Sequence, residues 1–379
     1  MIIKQLSVKN FRNIESGEFS FSEKTNIIGG NNAQGKTNLM EAAVCAVEKS
    51  FRTSKSSELL TKDKNVNSEI TLSFIVDAHP NKVNRLECII SEGGIERKIN
   101  GISYKEAIKL YPQLKSIVFI PEDLYIVKGS PDARRELADD TADMMNKMHH
   151  NVTGNYFRAL KQKNTFLSSL NTKPLGATRN DVLQLTIWNE ELAKAGVNVM
   201  FGRMKYFRLL SKYAEEYYAK LSDNRETLRM EYQSSVFEEE LDISDPERVL
   251  ELYTRKLDQD YQREITMGHT LIGVHRDDIA FYINDRCAKD YASQGQIRSI
   301  AIALRLAQAR MFGEKWGESP VIVLDDVMSE LDERRRNFVF KHIVDSQVFI
   351  TCCNKNDFNR LGEAEYWEAN AGKFTKATK

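Results

Sequence analysis

Apolar and polar residues alternate through residues 2–8 and again through Glu18-Phe19-Ser20-Phe21, on either side of a turn at Asn10-Phe11-Arg12-Asn13. A period of two predicts strands with one buried face. Residues 25–29 read as a further short strand, and residues 70–76 alternate again. Residues 86–90 and 95–99 flank Ser91-Glu92-Gly93-Gly94, the composition of a hairpin turn. Residues 116–120 form a short apolar run ending at Pro121-Glu122-Asp123, as a buried strand would.

From residue 121 to about 264 the pattern turns helical. There Trp188, Leu192, Ala195, Val199, Gly202, Tyr206, Leu209 and Tyr213 recur at alternating four- and three-residue steps, a heptad-like seam. A helix over residues 185–221 would be about 55 Å long at ~1.5 Å per residue. Packing inside one domain and projection as an arm fit it equally. Strand-like text returns at residues 270–274 and 279–283, around Arg276-Asp277-Asp278. Ile297, Ile300, Ala301, Leu304, Ala307 and Met311 then predict a helix, and residues 320–324 and 347–351 predict buried strands.

One stretch in this pattern carries chemistry of its own. Between the strand at 25–29 and the helix that follows lies Gly30-Asn31-Asn32-Ala33-Gln34-Gly35-Lys36-Thr37, a G-x-x-x-x-G-K-T phosphate loop. Small residues let the backbone wrap an anion, and the next helix aims its positive end at the same point. Lys36 can reach the outer phosphates of ATP, and the Thr37 hydroxyl can ligate Mg²⁺.

Three later motifs fit the same anion. Ser293-Gln294-Gly295-Gln296 opens a helix with a hydroxyl, a bare glycine N–H and a helix dipole together. The strand at 320–324 ends in Asp325-Asp326, a Walker B arrangement in which Asp325 would hold Mg²⁺ and Asp326 would activate the attacking water. Ser329-Glu330-Leu331-Asp332 follows at once. This order of motifs resembles the ATP-binding-cassette ATPases. The resemblance implies an α/β head of that class, two of which sandwich ATP. Across that dimer Ser293, Gly295 and Gln296 of one copy would meet the γ-phosphate held by the other, with Asp332 in the interface.

Bulk numbers add limits. The 54 Lys+Arg balance 54 Asp+Glu exactly in number, so a nucleic-acid partner would need a local basic patch. Residues 146–212 carry eleven basic against three acidic residues, and residues 213–264 carry seven against fifteen. Either two antiparallel helices pair their charges, or a basic face is left for phosphates. No apolar run approaches the ~20 residues of a membrane span, and the start has no secretion-signal pattern. Five scattered cysteines form no C-x-x-C pair, so a cytoplasmic location is expected, without a zinc site or a disulfide frame.

The chain also resembles the bacterial RecF family of DNA repair ATPases, relatives of SMC-type heads. The residues carrying the match are Asn10-Phe11-Arg12-Asn13, the phosphate loop, Ser50-Phe51-Arg52-Thr53, Phe119-Ile120-Pro121-Glu122-Asp123, Lys128-Gly129-Ser130-Pro131, Arg134-Arg135, Gly273-Val274-His275-Arg276-Asp277-Asp278, Ser293–Gln296 and the stretch from Leu324 to Asp332. Val274 stands where the family usually has proline. The resemblance implies a slow ATP hydrolase with ATP and Mg²⁺ as cofactors. ATP would close a homodimer on DNA near gaps or junctions, with RecR-like and RecA-like partners and roles in repair, replication restart and the SOS response. It also implies a nucleoid-associated protein with no membrane partner. A transporter ATPase subunit and an SMC-like chromosome ATPase are the alternatives. The expected architecture is a discontinuous head, residues 1–120 plus 265–379, with a mainly helical lobe at 121–264. The expected site has Lys36, Asp325 and Asp326 as catalytic residues and Thr37 with Asp325 on the metal. Arg12, Arg52 and Lys55 are the expected DNA contacts on the head.

Overall fold

The computed structural model describes residues 1–61, 66–111, 114–237, 245–353 and 364–377. Contacts divide the chain into two compact units, Met1–Asp123 with Ile302–Lys379, and Leu124–Ala301.

The first unit is built on two sheets. One is antiparallel, in the order Ile14–Ser20, Ile2–Phe11, Ser68–Val76, His79–Ser91, Gly94–Ile99, Ile102–Ser103. The alternation read along residues 2–8 is its pleat: Ile3, Leu6 and Val8 are buried. Ser91 pairs with Gly94, so the expected hairpin closes through the two residues Glu92-Gly93. The other sheet runs Lys373–Lys376, Ala364–Asn370, Thr25–Gly29, Val348–Cys352, Val321–Leu324, Ser116–Phe119, and all its neighbours are parallel except the first pair. Val321–Leu324 and Val348–Cys352 are buried throughout because both faces are covered.

The helix Lys36–Val47 packs against strands of both sheets, and ten of its twelve residues are buried. It therefore has no polar face to give to water. Its one acid, Glu41, is fully buried and must be neutralised locally. Arg12 does this with two hydrogen bonds, one of them 2.8 Å long, joined by the Ser50 hydroxyl.

The second unit is mainly helical. Its longest helix, Arg179–Leu221, has 43 residues. It starts earlier than the apolar seam suggests because Thr178 and Asp181 form a reciprocal capping box. It packs within the unit against Pro131–Met145, His149–Asn171, Pro246–Gln259 and the strand Leu228–Gln233. Leu192, Val199 and Tyr213 of the predicted seam are buried, and the buried face widens one residue beyond it, along Asn189, Gly196, Met200, Arg203, Phe207, Leu210 and Ala214. Two of these are polar, so an apolar count could not find the line. Asn189 donates to Asp258 at 2.8 Å. Arg203 holds Asp139 with two bonds, at 2.7 and 2.8 Å, and donates to the Val274 carbonyl at 2.6 Å.

Two expectations need correction. Residues 270–274 are not a strand. Gly273 sits at φ +137°, and its N–H and C=O both bond the Ser235 hydroxyl, while Thr270 N–H bonds Asn164, so side chains satisfy this backbone. The chain also returns to the first unit at Ile302, not near 265. Leu228–Gln233 pairs with Asp278–Ile283, which pairs with Arg286–Cys287, and this three-stranded sheet keeps residues 265–301 with the helices.

Candidate nucleotide site

The strand Thr25–Gly29 delivers the chain into the phosphate loop, and the helix Lys36–Val47 leads it away. Gly30 and Gly35 sit at φ +143° and +105°, a region closed to most side chains. A Cβ on Gly30 would also stand 2.6 Å from the Ala369 carbonyl oxygen. Gly35 occupies the helix N-cap and offers no side chain to cap the first-turn N–H groups, which are left for an anion. The hairpin turn at Ala371-Gly372 buttresses the loop. Gly372 N–H donates to the Gln34 carbonyl at 2.9 Å, and Ala371 N–H to the Gln34 side chain at 2.7 Å.

Lys36 folds across this loop. Its Nζ donates to the carbonyls of Gly30 at 2.7 Å and Asn31 at 3.1 Å, and reaches Cys353 Sγ at 3.5 Å. Thr37 Oγ1 donates to Asp325 Oδ1 at 3.0 Å. Asp325 ends the strand Val321–Leu324 and is 5% exposed. Burial, together with the adjacent Asp326 carboxylate, pushes its carboxyl above the ordinary range, against hydrogen bonds from Thr351 and Thr37. Asp326 follows at φ +52°, a left-handed position for a non-glycine residue. Its N–H donates to Thr351 Oγ1 at 2.8 Å.

This donor set fits a hydrated Mg²⁺. Two hard oxygens 3.0 Å apart match the edge of an octahedron with metal–oxygen distances of about 2.1 Å. Such an ion takes one or two protein ligands and fills the rest of its sphere with phosphate and water. Among the described residues no cluster of three His, Cys, Asp or Glu could hold a metal by itself.

The other expected site residues lie as follows. Asp332 is in the first unit. It caps the helix Glu333–His342, and the Arg335 N–H, at 2.8 Å, holds its carboxyl below the ordinary range. Ser293, Gly295 and Gln296 belong to the second unit. Ser293 N–H donates to Gln296 Oε1 at 2.8 Å, and Gln296 N–H returns a bond to Ser293 Oγ at 3.3 Å, a capping box at the helix start that the sequence offered as an anion site. Gln296 Nε2 is held by Glu226 at 2.8 Å. Of the three expected DNA contacts, Arg12 is 19% exposed and bound to Glu41. Arg52 is 44% exposed, on Asn38 at 2.9 Å and near Glu41 at 3.5 Å. Lys55 is 74% exposed beside Glu58. Sequence reading missed Thr351, Cys353 and Glu41 as site residues. None belongs to a motif, and only the strand expected at 347–351 pointed toward the first of them.

Fold and site together define an ATPase head of the ATP-binding-cassette type with a helical second unit. The family model described as RecF/RecN/SMC N terminal domain matches residues 2–369. Two relatives, each called DNA replication and repair protein RecF, come from Ruminiclostridium cellulolyticum and Bacillus subtilis. The first is 35% identical over 367 residues, covering 95% of both chains. The second is 33% identical over 387 residues, covering 99% of this chain and all of the other. A solved structure of the recombination mediator protein RecF with ATP, from the RecFOR pathway, matches at a TM-score of 0.89 and 28% identity, over 100% of this chain and 98% of that one. A solved Smc head bound to part of ScpA shares the fold alone, at a TM-score of 0.55 and 15% identity. The chain belongs to the RecF family. Among the described residues no helix is long and apolar enough to cross a membrane.

Proposed function

We propose that this protein is a RecF-type recombination mediator: it binds ATP with Mg²⁺, dimerises on it, hydrolyses it slowly and uses the cycle to hold and release DNA during repair. The observation that carries this reading is the meeting of Thr37 with Asp325, and of Lys36 with the end of the strand Val348–Cys352, around one glycine-framed loop. Full-length similarity to RecF relatives supports the same reading over a transporter subunit.

The roles follow from the geometry. Lys36 supplies a cation on the loop side. Thr37 and Asp325 offer the two oxygens for Mg²⁺, which when bound would draw charge from the transferred phosphate. Asp326 is the candidate general base. Ser293 and the first turn of its helix present donors suited to a second copy's γ-phosphate, and Asp332 lines the same contact. RecR-like and RecA-like proteins, gapped DNA and a nucleoid location complete the proposal by family likeness.

The deciding measurement is ATP binding with DNA binding as its readout. Purified protein should bind duplex DNA tightly with ATP and weakly with ADP or no nucleotide. Lys36→Ala should weaken ATP binding by roughly 2 kcal/mol, about thirtyfold, the value of a charge-assisted bond to phosphate. Equal DNA affinity in all three nucleotide states would refute the proposal.

A further inference from the structure

Thr351 lies in the strand Val348–Cys352, between the loop strand and the strand that delivers Asp325, and is 1% exposed. Its hydroxyl does two jobs. It donates to Asp325 Oδ1 at 2.7 Å, and it accepts the Asp326 N–H at 2.8 Å. A single oxygen thus ties the side chain of one acid to the main chain of the next.

Each tie has a physical consequence. Asp325 Oδ1 accepts from both Thr351 and Thr37, so the carboxylate is fixed by bonds from two different strand–helix elements. A free aspartate would sample several χ1 and χ2 states and present its oxygens at the Thr37 hydroxyl only part of the time. Asp326 has left the strand at φ +52°, a conformation that costs a non-glycine residue free energy unless neighbours hold it. Its N–H faces Thr351 rather than a ladder partner. Losing that bond would leave a part-buried donor unpaired and release the turn that aims the Asp326 carboxylate.

We infer that Thr351 is a positioning residue for ATP hydrolysis, holding the metal-binding oxygen of Asp325 and the backbone turn of Asp326 in one arrangement. It acts through the two acids. The role belongs to the hydroxyl, because a β-branched residue of the same size would pack equally well in this strand. The inference rests on the ATPase reading proposed above.

The test compares Thr351→Val, Thr351→Ser and wild type by two measurements, ATP turnover and the ratio of ATP affinity with Mg²⁺ to that in EDTA. Groups that orient a metal ligand are worth about ten- to a hundredfold when removed. Thr351→Val should lose at least about tenfold in kcat and in the Mg²⁺-dependent gain in affinity, with affinity in EDTA within about twofold of wild type. Thr351→Ser should recover most of both. Wild-type behaviour of Thr351→Val in both measurements overturns the inference. So does equal damage in Ser and Val, which would assign the effect to packing. If Thr351→Val does not fold, Thr351→Ala against Thr351→Ser carries the same comparison, with only Ser active. If wild type binds ATP but never turns it over, the ATPase reading fails, and the Mg²⁺ ratio alone decides the role of Thr351.

Discussion

Thr37 Oγ1 donates to Asp325 Oδ1 at 3.0 Å although 288 positions separate them in the chain. The contact joins the start of the loop helix to the end of a central strand, two strands away from the loop strand in the same sheet. A parallel sheet brings all its carboxyl ends to one edge, and ligands of such sheets bind there. In the proposed function the relationship divides labour between two consecutive acids: Asp325 is engaged with Thr37, and Asp326 is the candidate base for the water.

That division predicts that Asp326→Asn keeps ATP binding and loses hydrolysis. Asparagine tolerates the left-handed backbone that Asp326 adopts, so the turn should survive. Removing a general base costs typically about 10²–10⁴ in rate. Equilibrium ATP binding beside single-turnover hydrolysis checks this. Turnover at the wild-type rate would remove Asp326 from the reaction.

Ser293 carries the second prediction. It is exposed, and its Oγ accepts the Gln296 N–H at 3.3 Å at the start of its helix. Ser293→Arg should keep the ATP affinity of the single chain and abolish ATP-driven dimerisation, because a bulky side chain would occupy the space a phosphate needs. Light scattering with and without ATP reads the result, and an undisturbed dimer would take Ser293 out of the interface.

The phosphate loop and the Walker B strand were legible in the sequence because their signals are local: fixed spacing, glycines where φ must be positive, and an apolar run of strand length. Arg12 was not. It reads as a surface residue in a turn, and its partner Glu41 lies on a helix buried from every side, which a count of polar residues cannot reveal. The return of the chain was misjudged for a similar reason. Pairing of Leu228–Gln233 with Asp278–Ile283 is a long-range choice, and nothing within either segment states it. The seam along Arg179–Leu221 was legible in part, since Leu192, Val199 and Tyr213 are buried, but its polar members were not, because Arg203 and Asn189 are buried by partners rather than by apolarity.

The Arg203–Asp139 pair yields a prediction in pH. Burial raises the Asp139 carboxyl, but hydrogen bonds from Arg203 and His149 outweigh it and hold it at about 2, below its ordinary 3.8. A depressed folded value means the contribution is present above the unfolded value and lost as pH falls through the folded one. Asp139→Asn should therefore cost about 2 kcal/mol or more near neutrality, as the size of the shift implies. The difference from wild type should narrow between about pH 4 and about pH 2. Urea midpoints of both proteins across that window decide it. A gap that stays constant down to about pH 3 would mean Asp139 acts by packing and not by charge.

The last prediction concerns DNA. Arg12, Arg52 and Lys55 were equal candidates in the sequence, and the structure separates them. Arg12 neutralises buried Glu41, so Arg12→Ala would strand a buried charge and cost several kcal/mol of stability, on the order of 3–5. A loss of DNA binding in that variant would carry no information about contact. Lys55 and Glu58 are both exposed, so their pair at 3.5 Å is worth at most about 1 kcal/mol, and Lys55 can exchange its carboxylate for a DNA phosphate at small cost. Arg52 is 44% exposed but lies 3.5 Å from the buried Glu41, so it can turn to a phosphate only while Arg12 keeps Glu41 neutralised. Each such contact releases counterions and steepens the salt dependence of binding. Dimerisation on ATP would double the number of contacts without any touch between nucleotide and DNA. Arg52→Glu with Lys55→Glu, measured on duplex DNA with ATP across a salt series, should bind more weakly and with a shallower slope while ATP affinity holds. Wild-type affinity and slope together would take the DNA path off this part of the head.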